Sequence, residues 1–183
     1  MKREYLCDEY LSKINTLIHE INKTTPATAV HCLELRAELA GLLVVAIAAT
    51  YETCIKEILI EHARSKHVEF GGFAKNNFAK INSRIKPNDL KNYCKMFSEN
   101  MATNFSKSLD KRKKRISTAT RTNIEKRYEL LLDWRHDYAH AAIKSTTIEE
   151  AEKCNRFAKH ILYVFEDTFR LEREKHSSSQ EVA

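Results

Sequence analysis

Apolar residues return every three or four positions through Leu6, Tyr10, Leu11, Ile14, Leu17, Ile18 and Ile21, predicting an amphipathic helix over residues 3–23. Thr24-Thr25-Pro26 follows, and Thr25 as N-cap with Pro26 in the first turn predicts a second helix reaching Lys66. That helix is polar on one side through Leu33–Leu39. From Leu42 to Ala49 it is apolar all round, which predicts a central element packed on every side. Gly71-Gly72 predicts a break, with short helical pieces from Phe73 to Ile85. Pro87, with Asn88 and Asp89 in the first turn, then restarts a helix through Leu90, Tyr93, Cys94, Phe97, Met101 and Phe105. The run from Lys111 to Thr120 shows no period and reads as a mobile loop. Ile124, Tyr128, Leu131, Leu132, Arg135 and Ala139 mark a helix over residues 122–142. Thr146 with Glu149, or Thr147 with Glu150, forms a capping box that opens a last helix over 148–174. Residues 176–183 read as a disordered tail.

The fold class expected is all-α, one helical bundle with long central helices over residues 1–175. Three Gly, two Pro and 31% charged residues agree with long helices that have solvated outer faces. The run from Leu42 to Ala49 falls far short of the ~20 residues of a membrane-spanning helix. The N-terminal stretch has no apolar core of a secretory signal. A cytoplasmic protein without membrane contact is expected. Cys7, Cys32, Cys54, Cys94 and Cys154 show no CxxC spacing and read as reduced thiols; Cys54 falls on an apolar face, where a thiol acts as a small hydrophobe.

Charge changes the picture locally. Between Lys107 and Arg127 nine cations face only Asp110 and Glu125, so the chain's net +6 is concentrated in one stretch. A polyanion such as RNA is the natural partner, with Lys111, Arg112, Lys113, Lys114 and Arg115 as its contacts.

The chemistry centres on Trp134-Arg135-His136-Asp137-Tyr138-Ala139-His140. Arg135 and His140 are five positions apart, about 140° around a helix and about 7.5 Å along it. They do not share a face, whereas His136 and His140 are nearly aligned. Metal-free RNA cleavage needs a base for the ribose 2′-OH, an acid for the departing 5′-oxygen and positive charge at the phosphate. Histidine titrates near neutrality, which suits His140 to proton transfer, and Arg135 offers a planar cationic fork. His136, or a second His140 from a partner copy, completes the acid–base pair. Two other readings stand beside this one: His136 and His140 with Asp133 or Asp137 as metal ligands, or a purely structural arrangement of Arg and His at a helix end. Glu52 with Lys56 is an ordinary i, i+4 ion pair unless a site claims Glu52. Tyr138 suits base stacking or a dimer interface.

Arg135, a polar residue, three more and His140, followed by a small residue and a capped helix, resembles the signature of the HEPN superfamily, most closely its RiboL-PSP-HEPN branch. The run from Leu35 through Leu43-Val44-Val45 to Tyr51-Glu52 resembles that branch's long helix. The resemblance implies a homodimeric, metal-independent endoribonuclease that needs no cofactor, with Arg135 and His140 as catalytic pair and His136, Glu52 and Tyr138 as auxiliaries. It also implies a toxin or phage-defence role, with an antitoxin or defence-system protein as partner. The alternative is a HEPN-fold module that binds RNA or protein without catalysis.

Overall fold

The computed structural model describes residues 4–79, 81 and 85–180, with side chains through Glu172. Among them are seven α-helices and no strand: α1 (Leu6–Thr24), α2 (Leu33–Lys66), α3 (Val68–Phe78), α4 (Pro87–Phe97), α5 (Glu99–Thr120), α6 (Ile124–Ala141) and α7 (Ile148–Gln180). The all-α expectation holds. α2 is the axis of the bundle and packs on α1, α3, α6 and α7. Its inward residues Leu43, Ile47, Tyr51, Ile55 and Leu59 are fully buried, and α7 faces them with Ile161, Leu162, Phe165 and Phe169. Among the described residues no helix is long and apolar enough to cross a membrane.

α2 is not covered on every side, however. Leu42 is 53% exposed and Leu35 is 55% exposed. With exposed Ala49 they recur every seven residues and form one open apolar stripe. The start of α2 also differs from expectation. Thr25 ends α1, its hydroxyl donating to the Ile21 carbonyl at 2.8 Å, and a 3₁₀ turn over Val30–Cys32 precedes α2. The physical reason is Arg36. Its buried guanidinium donates to the Thr25 carbonyl, to Asn22 at 2.8 Å and to Glu149, which pulls the end of α1 and the start of α7 onto α2. The capping box that opens α7 uses Thr147 and Glu150.

Gly71 and Gly72 lie inside α3, and the break falls at extended His67. A Cβ on Gly71 would come within 2.9 Å of the Arg64 Cβ, so this glycine permits a close approach to α2. The helix expected from Pro87 through Phe105 is two helices, because Ser98 is extended and its hydroxyl caps α5 by accepting from Asn100 and Met101. α1 is capped from the far end of the chain: the buried Glu166 carboxylate accepts from the amides of Leu6 (2.6 Å) and Cys7 (3.2 Å).

The expected loop 111–120 is helical, the last turns of α5. Phe105, Leu109 and Ile116 are buried, with half-buried Arg112 between them, so an apolar seam continues although cations fill the other positions. Past Glu172 the backbone of α7 continues through 176–180, and 181–183 of the expected tail lie outside the described residues. Cys7, Cys54, Cys94 and Cys154 are buried and unpaired. Contact with Cys54 and then burial raise the Cys7 thiol, and burial pushes Cys94 up to about 12, so these thiols are packing groups.

Where α5 meets α7, Arg112 donates to His160 Nδ1 at 3.3 Å, which requires the tautomer with the proton on Nε2. Burial first, then the charges of Arg112, Lys159 and Arg115, bring His160 down to about 4 from an ordinary 6.5. A depressed histidine is neutral in the folded chain while the unfolded chain takes up a proton, so stability is lost as pH falls from 6.5 towards 4. Partial exposure keeps this to roughly 1 kcal/mol. Melting temperatures measured across that window should fall less steeply in His160→Gln than in the parent, and an identical slope would refute the assignment.

Candidate active site

α6 runs antiparallel to α2. Tyr128, early in α6, stacks on Tyr51 with ring centroids 5.4 Å apart, while Tyr138, near its end, lies against Gly41. The Gly41 contact is close enough that a Cβ there would stand 2.1 Å from the Tyr138 ring. The Tyr138 hydroxyl donates to Glu38 at 3.0 Å, and Lys144 pairs with the same carboxylate. Hydrogen bonds from Lys144 and then Tyr138 hold Glu38 below its ordinary value. Tyr138 is therefore occupied in seating the last turns of α6 on α2.

With α6 so fixed, a cleft of about 280 Å³ opens between the two helices. Ala48 and Glu52 line it from α2, Leu132, Asp133, Arg135 and His136 from α6, and Lys86 from the segment that enters α4, so two carboxylates share the cleft with its cations. Arg135 is half-buried and, among the described residues, its guanidinium has no hydrogen-bond or ion-pair partner. His140 is exposed one turn further on and stands outside this lining. Its ring meets that of His136 with centroids 4.5 Å apart and planes inclined by 51°. Arg135, His136 and Glu52 thus come together in one depression, and His140 extends it outward through its tilted ring contact with His136.

α6 ends immediately after this histidine. Ala142 takes a left-handed conformation (φ 52°) and donates to the carbonyls of Asp137 and Tyr138. The open stripe of Leu35, Leu42 and Ala49 lies on the helix against which α6 packs. Among the described residues no three His, Cys, Asp or Glu side chains converge to hold a metal.

Lys86 is the cleft residue that sequence reasoning missed. Its placement is non-local: Ile85 is fully buried, and its carbonyl accepts from the Tyr128 hydroxyl at 2.8 Å, which pins this segment across the start of α6. The Lys86 amide donates to Asp89, the first-turn acid of α4. The neighbouring Pro87 was the only local signal that the chain is anchored here.

The basic residues 111–115 are not at the cleft. Lys113 pairs with Glu125 at the start of α6, and Arg135 lies ten helical steps beyond Glu125, about 15 Å of rise. Nor do the five cations act alike. Arg112 is engaged with His160 and Asp167, and Lys113 with Asp110 and Glu125, whereas Lys111, Lys114 and Arg115 are exposed.

The RiboL-PSP-HEPN family profile matches the chain over residues 7–170. No curated protein and no solved structure matches it.

Proposed function

The chain belongs to the RiboL-PSP-HEPN family, and from that premise we propose that it is a metal-independent endoribonuclease whose active site forms between two copies of the chain. The observation that carries this reading is the Arg135 guanidinium, without a partner among the described residues, at a cleft with His136 and beside an exposed His140. A cation without a partner suits a phosphate that arrives with substrate. In this reading Arg135 grips the scissile phosphate, His140 moves the proton of the 2′-OH or of the leaving 5′-oxygen, and His136 orients His140 through the ring contact. Lys86 adds positive charge on the opposite wall. Glu52, at the same cleft, orients the cationic groups.

One copy presents Arg135 inward and His140 outward. Two copies related by a two-fold axis, joined through the outward face of α2 and α6, would offer two of each to a shared cleft. Leu35, Leu42 and Ala49 supply apolar surface for such a joint. The family resemblance further supports a toxin or phage-defence effector restrained by an antitoxin or a defence-system protein.

The rival reading is a HEPN-fold module that binds without cutting. Purified protein incubated with RNA in excess chelator separates the two: cleavage is expected, binding without cleavage would establish the module, and rescue only by added metal would establish a metal hydrolase. In the same assay, excess His140→Ala protein allowed to exchange subunits should lower activity more than dilution does. A strictly proportional loss after demonstrated exchange would sink the shared site.

A further inference from the structure

A second depression, of about 230 Å³, which shares no lining residue with the cleft, runs between α5 and α7. Ser108, Lys111, Arg112 and Arg115 form its α5 wall, and Val164, Asp167 and Leu171 its α7 wall. We propose that this groove is an exosite for the sugar–phosphate backbone of RNA, lined by Lys111 and Arg115, flanked on α5 by Lys107 and Lys114, and separate from the cleft. It rests on the nuclease reading only for the identity of the polyanion.

The first argument is the arrangement of charge. Because α5 is helical, Lys107, Lys111 and Arg115 stand four residues apart and form one row with a rise of about 6 Å per step. Lys114 lies one turn above Lys111 and widens the row. From Asn100 to Arg115 the only acid is Asp110, and it is matched to Lys113 at 3.5 Å. Among the described residues Lys107, Lys111, Lys114 and Arg115 have no hydrogen-bond or ion-pair partner. Like charges spaced this way repel one another, and an anion that spans several of them relieves the repulsion.

The second argument is that the floor is built. Arg112 lies beneath the row, fixed between Asp167 at 3.8 Å and His160 at 3.3 Å. Arg170 also donates to Asp167, at 2.8 Å, and Tyr5 does so at 3.3 Å. Asp167, the carboxylate among the described groove residues, is therefore neutralised from below rather than facing an incoming phosphate. Leu171, at 47% exposed, is the one large exposed apolar side chain among the groove residues. A protein partner would need an apolar anchor cluster at its centre, whereas a phosphate backbone needs what is present, a row of cations with room for solvent.

The distance from the cleft gives the site its function. Lys113 ties the row to Glu125 at the start of α6, about 15 Å along that helix from Arg135. An RNA only a few nucleotides long occupies one site, and a longer one engages both. The exosite thus selects for length and raises the concentration of the scissile bond at the cleft.

The test uses the full chain with Lys107→Gln, Lys111→Gln and Arg115→Gln combined, and a control with Lys13→Gln, Lys23→Gln and Lys66→Gln, which removes the same charge from remote exposed positions. Fluorescence anisotropy with a labelled single-stranded RNA of about 30 nucleotides reads binding whether or not the protein cuts, so failure of the exosite and failure of the nuclease reading are distinct. Affinity at moderate salt should fall at least tenfold in the exosite triple. The slope of log K against log salt should drop by about two, three phosphate contacts at about 0.7 each. Cleavage of a short oligonucleotide should be unchanged while cleavage of the long RNA falls. RNA should also protect Lys107, Lys111 and Lys114 of the unmodified protein from acetylation. An affinity and slope equal to the parent's, a loss no larger than the control triple's, or loss of polyglutamate binding with RNA binding intact would each overturn the proposal, the last in favour of an acidic protein partner.

Discussion

His140→Ala should lower RNA cleavage by a factor on the order of 10²–10⁴, the usual contribution of a positioned acid or base, and Arg135→Ala should cost at least as much. Neither change should disturb the fold. His140 is exposed on the last turn of α6, and Arg135 makes no hydrogen bond or ion pair among the described residues, so truncation strands no buried partner. Surface changes of this kind typically fall within about 0.5 kcal/mol. Circular dichroism and the melting transition should therefore match the parent while turnover is lost. Full turnover in either variant would refute the assigned chemistry, and unfolding of His140→Ala would instead establish the structural arrangement of Arg and His at a helix end.

Gly41→Ala should be the opposite kind of lesion, at a residue outside the cleft lining and costly to stability and activity together. The added Cβ would stand 2.1 Å from Cδ2 and Cε2 of Tyr138 and 2.7 Å from its Cγ. Cγ lies next to the ring's own Cβ, so the clash cannot be relieved by swinging the far end of the side chain. Either the ring leaves, breaking the hydrogen bond to Glu38, or α6 moves away from α2. Overpacking of this kind costs typically about 1–3 kcal/mol. Displacement of α6 also shifts Arg135 and His136 against Glu52, and misplacement by about 1 Å can cost about a hundredfold in rate. The double variant Gly41→Ala with Tyr138→Ala removes the obstacle, so its melting temperature should recover part of the loss. An unchanged melting temperature in Gly41→Ala alone would show that the ring yields freely.

Much of this architecture is legible in the sequence because local signals and burial agree. The α1 stripe of Leu11, Ile14, Ile18 and Ile21 is buried as its period requires, Pro87 opens α4, and Thr147 with Glu150 opens α7. The readings that failed did so where a tertiary contact outweighed the local signal. The second half of α5 looks structureless because cations occupy most of it, yet Leu109 and Ile116 need only one seam, and the stem of Arg112 continues it. Gly71 reads as a breaker because its close approach to Arg64 depends on a neighbouring helix. The spacing of Cys94, Phe97, Met101 and Phe105 runs through Ser98 without a gap, so the break there is announced only by a single capping hydroxyl.

The candidate site divides in the same way. The motif on α6 could be read as a motif, and its geometry follows from helical spacing. That Glu52 comes to the same cleft depends on the register between α2 and α6, set by Gly41 under Tyr138 and Tyr51 against Tyr128. Lys86 enters because Ile85 is buried and bonded to Tyr128, an arrangement between residues 43 positions apart that no local window contains.

The cap on α1 carries a further meaning when the chain is followed as it is made. Glu166 accepts the Leu6 and Cys7 amides across about 160 residues, and α7 also covers α2, α5 and α6. A ribosome releases Arg135 and His140 before it releases Glu166, so the helix bearing them emerges with α2 already made but without α7, and with the carboxylate that caps the first helix still to come. Domains fold as units once their parts are present. The turn of α6 that bears the motif is then seated only once α7 has emerged, and a product that stops before Glu166 carries the motif without the scaffold that aims it.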